Sequence, residues 1–300
     1  MRKTTIDGVM LWGMAATVTT SLVLLRYLQS QGLHPVHAAL SQAIGCVVCI
    51  AIIDRGALTR LVAYRSSLRY FMIASLLGFT IPRLVVSGAV SHTGVGLTTL
   101  AFTLPLVITY VIALFLNVEA FDRKRLAFLS LTLIGAILYV STRMDAMNSG
   151  GIWIYILMLA PLALGIGNVY RSLAWPGTLN PTTTALATSL CSLVTYVVIA
   201  GLFPATTPVS FFLSGSNALL MLVFMAIAGT SQMLLFHLQL SAGPVYIGQS
   251  GALVVLLGGL TGAVLFHEHY TMLTLVSSLL ILFGVYSYSK SHSVAKASSV

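Results

Sequence analysis

Apolar runs of about 18 residues or more recur along this chain from end to end, and each can cross a hydrocarbon core about 30 Å thick. They read as ten spans, at 8–28, 35–53, 69–90, 95–117, 125–142, 152–172, 182–203, 216–238, 243–265 and 271–289. The breaks carry charges, Gly, Pro or Asn, as in "STRMDAMNSGG" and "WPGTLNP". A transmembrane β-barrel would instead alternate apolar and polar residues over segments of about ten positions. Composition agrees: 58% of residues are hydrophobic and only 7% charged, where a soluble domain carries about 25% charged. The chain cannot cover a water-facing surface. The expected fold is an all-α polytopic membrane protein of ten transmembrane helices.

The net charge of +9 does not call for nucleic acid, because the basic residues flank spans and fit an orientation signal. An even number of spans puts both termini on one side. If that side is the cytoplasm, then Arg2, Lys3, Arg55, Arg60, Arg65, Arg69, Arg123, Lys124, Arg125, Arg171, Lys290 and Lys296 lie inside, 12 of the 15 Lys and Arg. Arg26 and Arg143 fall near the outer face, and Arg83 within a span. The expectation is a multi-pass protein of the cell inner (plasma) membrane with both ends cytoplasmic. Arg2 and Lys3 precede a run, Gly8 to about Leu28, that is long and lacks a small-x-small cleavage site; it reads as the first span rather than a leader. Cys46 and Cys49 have CxxC spacing but sit in the apolar "GCVVCI", and read as small buried hydrophobes rather than a redox pair.

The chain also echoes itself. A register that places Glu119 on Glu268 puts Gly94 on Gly243, Gly135 on Gly284, Phe121 on Tyr270 and Tyr139 on Tyr288. Each half, 1–150 and 151–300, holds five spans. An odd number inverts the second half relative to the first, an arrangement common in secondary transporters, whose substrate sits near the midplane between the halves.

These residues resemble a known family. The stretch that opens "AVSHTGVG" at Ala89 and runs through "LNVEAF" has the order of the repeat unit of the drug/metabolite transporter superfamily, EamA type; the stretch from "FHLQLSAG" at Phe236 through "LFHEHYT" is similar to a second copy. The Trp12-Gly13 pair also fits. The resemblance implies two inverted five-helix repeats, a cavity lined by spans one, three, four, six, eight and nine, and alternating access. Two departures stand out. The Arg common in the family's second span is replaced here by Ser41 or Gln42, and Pro105 of the fourth span aligns with Val254 of the ninth.

Within the spans, Arg83 in "GFTIPRLVV" is the cleanest ionisable residue. It lies 14 residues beyond Arg69, or about 21 Å along a helix. An intramembrane Arg costs about 2.5–3.5 kcal/mol on insertion scales and marks function by default. Arg83 either faces a cavity and holds a carboxylate through a bidentate pair, or snorkels to the outer face. Pro82 is expected to free a backbone carbonyl and kink the span. The same register pairs Arg83 with Gln232, a polar residue of the eighth span.

Trp12, Tyr110, Tyr170 and Tyr246 are candidates to stack on a flat substrate, with interfacial aromatics as the alternative. Asn168, Thr99 and Gln249 are candidate orienting hydrogen-bond partners, with helix packing the alternative for Thr99. His92 and His237 read as surface histidines.

Several chemistries lack their residues. No span interior holds Asp or Glu, which favours exchange or facilitated movement over tight proton coupling. There is no P-loop for ATP, and "GGLTG" at 258–262 lies inside a span, where glycine lets helices approach closely. No catalytic constellation is present, so no enzyme activity, cofactor or metal is expected. In "LFHEHYT", His267 and His269 are two residues apart and point away from each other on a helix. Glu268 and its mate Glu119 read as boundary carboxylates that cap the following helix.

The function these readings favour is export of a small polar or amphipathic metabolite, an amino acid or related carboxylate, by a secondary transporter in the bilayer. A monomer already contains a complete repeat pair. The alternatives are a lipid or lipid-linked sugar translocase of the same fold and, further off, a membrane enzyme.

Overall fold

The computed structural model describes residues 2–117, 121–141, 151–177, 179–203, 206–266 and 271–298. The described residues form helices and connections, with no strand among them. In chain order the helices are α1 (Arg2–Ser30), α2 (Pro35–Ile53), α3 (Gly56–Ala63), α4 (Leu68–Ser75), α5 (Ile81–Leu100), α6 (Leu104–Phe115) and α7 (Arg123–Ser141). The second half continues with α8 (Ile152–Leu157), α9 (Leu159–Leu173), α10 (Pro181–Leu202), α11 (Val209–Leu213), α12 (Gly215–Ala242), α13 (Pro244–Gly248), α14 (Ser250–Phe266) and α15 (Met272–Ser298).

Helix starts follow local chemistry. Pro35 and Pro181 sit at the first helical position, where the missing N–H is harmless. Each follows a capping side chain: His34 Nδ1 accepts from the Val36 N–H at 3.3 Å, and Asn180 Oδ1 accepts from the Thr182 N–H at 2.9 Å.

Seven helical runs among the described residues are long and apolar enough to cross a membrane: Ile6–Ser30, Pro35–Ile53, Leu68–Val95, Ile152–Leu173, Pro181–Leu202, Gly215–Ala242 and Pro244–Gly262. Two apolar helices, Leu104–Phe115 and Met272–Tyr288, are shorter. The chain is a multi-helix membrane protein. The expected fourth span, 95–117, is divided: its first residues belong to α5, and the backbone turns at 101–103 before α6 begins. Gly94 takes φ 75, ψ 168, and Gly243, between α12 and α13, takes φ 89, ψ 177. Only glycine enters that region readily.

Lipid is as apolar as a leucine side chain, so helices associate here through close packing at small residues. A Cβ on Gly45 would run into the Met225 backbone, and one on Gly229 would meet Cys49 and the Gly45 carbonyl. Cys46 and Cys49 are free thiols, Cys46 fully buried and Cys49 packed against α12. Between α7 and α15 the contacts are reciprocal. Gly135 abuts Ile281 and Ser277, while Gly284 abuts Thr132 and Phe128. Positions rising along one helix meet positions falling along the other, so the pair is antiparallel.

Just before Pro82, where the sequence leads one to expect a kink, the hydrogen-bonding pattern of the helix changes. Leu76–Thr80 is a π-helical turn, in which the Ile81 N–H reaches back to the Leu76 carbonyl. The wider turn relieves the clash between a proline ring and the carbonyl four residues earlier, here that of Gly78.

Candidate functional site

A cavity of about 150 Å³ opens among α1, α2, the π turn with the start of α5, α6, α9, α12 and the α13–α14 junction. Its wall is mostly apolar, from residues such as Leu22, Val86, Leu235 and Ile247, with Arg83, Gln232, Asn168, Gln42, Ser21 and Ser250 as polar members. That is the composition of a small-molecule site, apolar with a few convergent polar groups.

Arg83 lines this cavity rather than snorkelling away from it. Its Nη2 donates to Gln232 Oε1 at 2.8 Å, across 149 positions of sequence, so the pair matched by the repeat register is in direct contact. Nη2 also lies 3.4 Å from Cys46 Sγ. Nη1 is buried and has no hydrogen-bond partner. No ion pair joins Arg83 to a carboxylate among the described residues. Gln232 is held in turn: its Nε2 donates to Thr188 Oγ1 at 3.4 Å. An amide fixed this way presents its oxygen to Arg83 and leaves the rest of the guanidinium fork open to an anion.

Asn168 also lines the cavity, but its amide is committed. Nδ2 donates to Thr109 Oγ1 at 3.3 Å and Oδ1 accepts from Arg171. Gln249 is fully buried behind the wall at the α13–α14 junction, between cavity-lining Gly248 and Ser250, and neither of its amide atoms has a partner.

The remaining candidates lie elsewhere. Trp12 is 54% exposed on the outer surface of α1, and the interfacial reading fits it. Tyr110 packs edge-on against Tyr288 at 6.1 Å in a separate apolar cluster. Thr99 is buried where a Cβ on Gly258 would strike it, so it serves helix packing. Tyr246 is half-buried against the main core and Tyr170 stacks on Tyr70 at 5.8 Å; neither lines the cavity. His92 stacks on Trp153 at 4.5 Å, within α5 rather than in a connection. Trp12→Ala is expected to leave stability within about 0.5 kcal/mol of wild type, as substitutions away from a structural feature usually do; unfolding midpoints in detergent check this.

Two polar residues went unrecognised in the sequence. Gln42, standing where the family resemblance expects arginine, lines the cavity with its Nε2 3.3 Å from Ser21 Oγ. Arg171, counted above with the loop charges, is fully buried in the last turn of α9. Asn168, three residues earlier on the same helix face, was the available signal. Among the described residues no group of three or more His, Cys, Asp or Glu could hold a metal. Glu119, His267, Glu268 and His269 lie outside the described residues.

No family model matches this sequence, and no curated protein matches it. Solved structures do, 27 chains in number. One, a crystal structure of a protein 17% identical to this chain, covers 93% of this chain and 96% of its own length with a TM-score of 0.63. At that identity the likeness extends to the fold: this chain shares its helical architecture, over nearly its whole length, with a protein already solved.

Proposed function

We propose that this protein is a secondary transporter of the inner membrane that moves a small anionic or zwitterionic metabolite, an amino acid or related carboxylate, outward through the cavity by alternating access. One observation carries the reading: Arg83, a cavity-facing cation inside a membrane span, has Gln232 and a thiol as neighbours, no carboxylate partner among the described residues, and one donor nitrogen unused. A guanidinium in that setting recognises a carboxylate through two parallel N–H···O bonds.

The resemblance to the drug/metabolite transporter superfamily, with two inverted repeats at 1–150 and 151–300, is supported by three matched pairs. Arg83 and Gln232 touch each other, as mates do on a pseudo-two-fold axis. Gly94 and Gly243 share one unusual backbone conformation. Gly135 and Gly284 make reciprocal contacts between antiparallel helices, which favours opposite directions for corresponding spans. A cavity comparable to one that holds benzene suits a small metabolite better than a lipid-linked sugar.

Reconstitution in liposomes with labelled amino acids, organic anions, nucleosides and quaternary amines, with and without a pH gradient, tests this. Exchange of a carboxylate-bearing compound without a gradient is the expected result. Movement of quaternary amines alone, or strict proton dependence, counts against it.

A further inference from the structure

Arg171 is a second cation, fully buried directly behind the wall of the same cavity. Its Nη2 donates to Asn168 Oδ1, its Nε lies 3.5 Å from Gln239 Oε1, and the Tyr70 hydroxyl lies 3.5 Å from its backbone carbonyl. Nη1 is buried without a partner, packed on Gly78 so closely that a Cβ there would collide with it. The Arg171 Cζ lies 5.4 Å from the Phe79 ring centroid, and the Arg83 Cζ lies 5.5 Å from the same centroid. Two guanidiniums therefore flank one ring, no farther apart than those two distances laid end to end. Gly78, Phe79 and Asn168, which surround Arg171, themselves line the cavity.

No carboxylate among the described residues neutralises either cation. Asp54 pairs with Arg60, Asp122 lies beside Arg125, and Asp7 accepts from the Ser241 hydroxyl. Like charges this close in apolar surroundings repel, and each arginine retains a donor with no acceptor. A buried ionic group that only holds helices together can often be replaced by apolar packing without loss; an unneutralised cation lining a membrane cavity, with a second buried just behind the same wall, signals a ligand. One negative charge would balance one arginine and leave the other.

Resting on the transporter reading above, we propose that the substrate is a small doubly charged anion, and that Arg171 is a second binding residue whose Nη1 takes the second negative group while Arg83 takes the first. The cavity limits the ligand to a short molecule, a four-carbon dicarboxylate or a small phosphomonoester, whose shared chemistry is a charge of −2. Gly78 and Phe79 belong to the π-helical turn, and binding at Nη1 requires a shift of that turn to open it to the cavity.

The test measures binding to the full chain in lipid nanodiscs of succinate, methyl phosphate and butyrate, at about pH 7.5, where methyl phosphate is doubly charged. Wild type is expected to bind succinate or methyl phosphate at least about tenfold more tightly than butyrate, and the tighter of the two identifies the anionic group. Arg171→Gln is expected to reduce that preference to about twofold or less with butyrate affinity unchanged, which a merely structural residue would not do. Gly78→Ala displaces the Arg171 guanidinium with its charge intact; it is expected to reduce the preference as well, and serves where Arg171→Gln does not fold. Arg83→Gln is expected to lose all three ligands. Equal wild-type affinity for butyrate and both dianions, still dependent on Arg83, overturns this inference and leaves an anion transporter standing. A preference that survives both Arg171→Gln and Gly78→Ala removes the role of Arg171. Failure of wild type to bind any of the three overturns this inference and the carboxylate reading together.

Discussion

Arg83→Gln is expected to lower transport at least about 100-fold while leaving a folded protein in the membrane. A hydrogen bond to a charged group is worth about 1.5–3 kcal/mol, and a bidentate pair contributes two, so losing both exceeds the roughly 2.8 kcal/mol that corresponds to 100-fold. Glutamine keeps an amide that can still meet Gln232 Oε1, so the wall of the cavity is disturbed little. Removing an unneutralised cation from an apolar wall also relieves a desolvation cost, so stability is expected to hold or rise. Arg83→Lys keeps the charge without the planar fork and should fall between glutamine and wild type. Gln232→Leu leaves the cation in place but removes the acceptor that aims it, and is expected to raise KM more than it lowers the maximal rate. Initial rates in liposomes, normalised to monodisperse protein after detergent extraction, separate these outcomes. Wild-type transport by Arg83→Gln would falsify the central role given to this residue.

Much of this arrangement is written in the sequence. Apolar runs located most of the long helices, such as Pro35–Ile53, Pro181–Leu202 and Gly215–Ala242, because in lipid every backbone group must be bonded within its own segment; the expected span 95–117 is instead shared between α5 and α6. Gly94 and Gly243 marked real breaks, since a positive φ restricts the choice of residue. The register that paired Arg83 with Gln232 anticipated a side-chain contact no local pattern encodes.

What the sequence hid is equally physical. Arg171 sits at the end of an apolar run, where basic residues ordinarily mark the interface; only tertiary packing against Gly78, Phe79 and Gln239 turns it inward. Trp12, Tyr110 and Thr99 are compatible with a lipid face, a core or a cavity alike, and rotation about the helix axis decides among them. The π turn was legible only as a proline in a span. Where the resemblance has an arginine in the second span this chain offers Ser41 or Gln42, and only the structure shows that Gln42 is the one lining the cavity. With Arg83 in the wall and Arg171 buried behind it, a third cation at this position would add repulsion, with no carboxylate among the described residues paired to either arginine.

Gly135→Ala and Gly284→Ala are expected to destabilise the protein by similar amounts, about 1–3 kcal/mol each, the usual cost of overpacking. A methyl on Gly135 falls 3.0 Å from the Ser277 carbonyl and the Ile281 nitrogen; one on Gly284 falls 2.8 Å from the Phe128 carbonyl. Those neighbours are backbone atoms of facing helices and cannot step aside as a side-chain tip can, so α7 and α15 must separate along the shared seam. Because both methyls wedge apart the same pair of helices, the double variant is expected to lose less than the sum of the two singles. Gly201→Ala is the control: nothing lies within 4 Å of its Cβ position, and replacing an unpacked helical glycine stabilises by about 0.5–1 kcal/mol. Unfolding midpoints in detergent, followed by far-UV circular dichroism, read all four. Equal losses from the two glycines with a sub-additive double are what a pseudo-two-fold seam between matched helices requires. A large loss from one and none from the other would mean that the seam is not symmetric, and would withdraw one of the three supports for the inverted repeat while leaving the Arg83 cavity untouched.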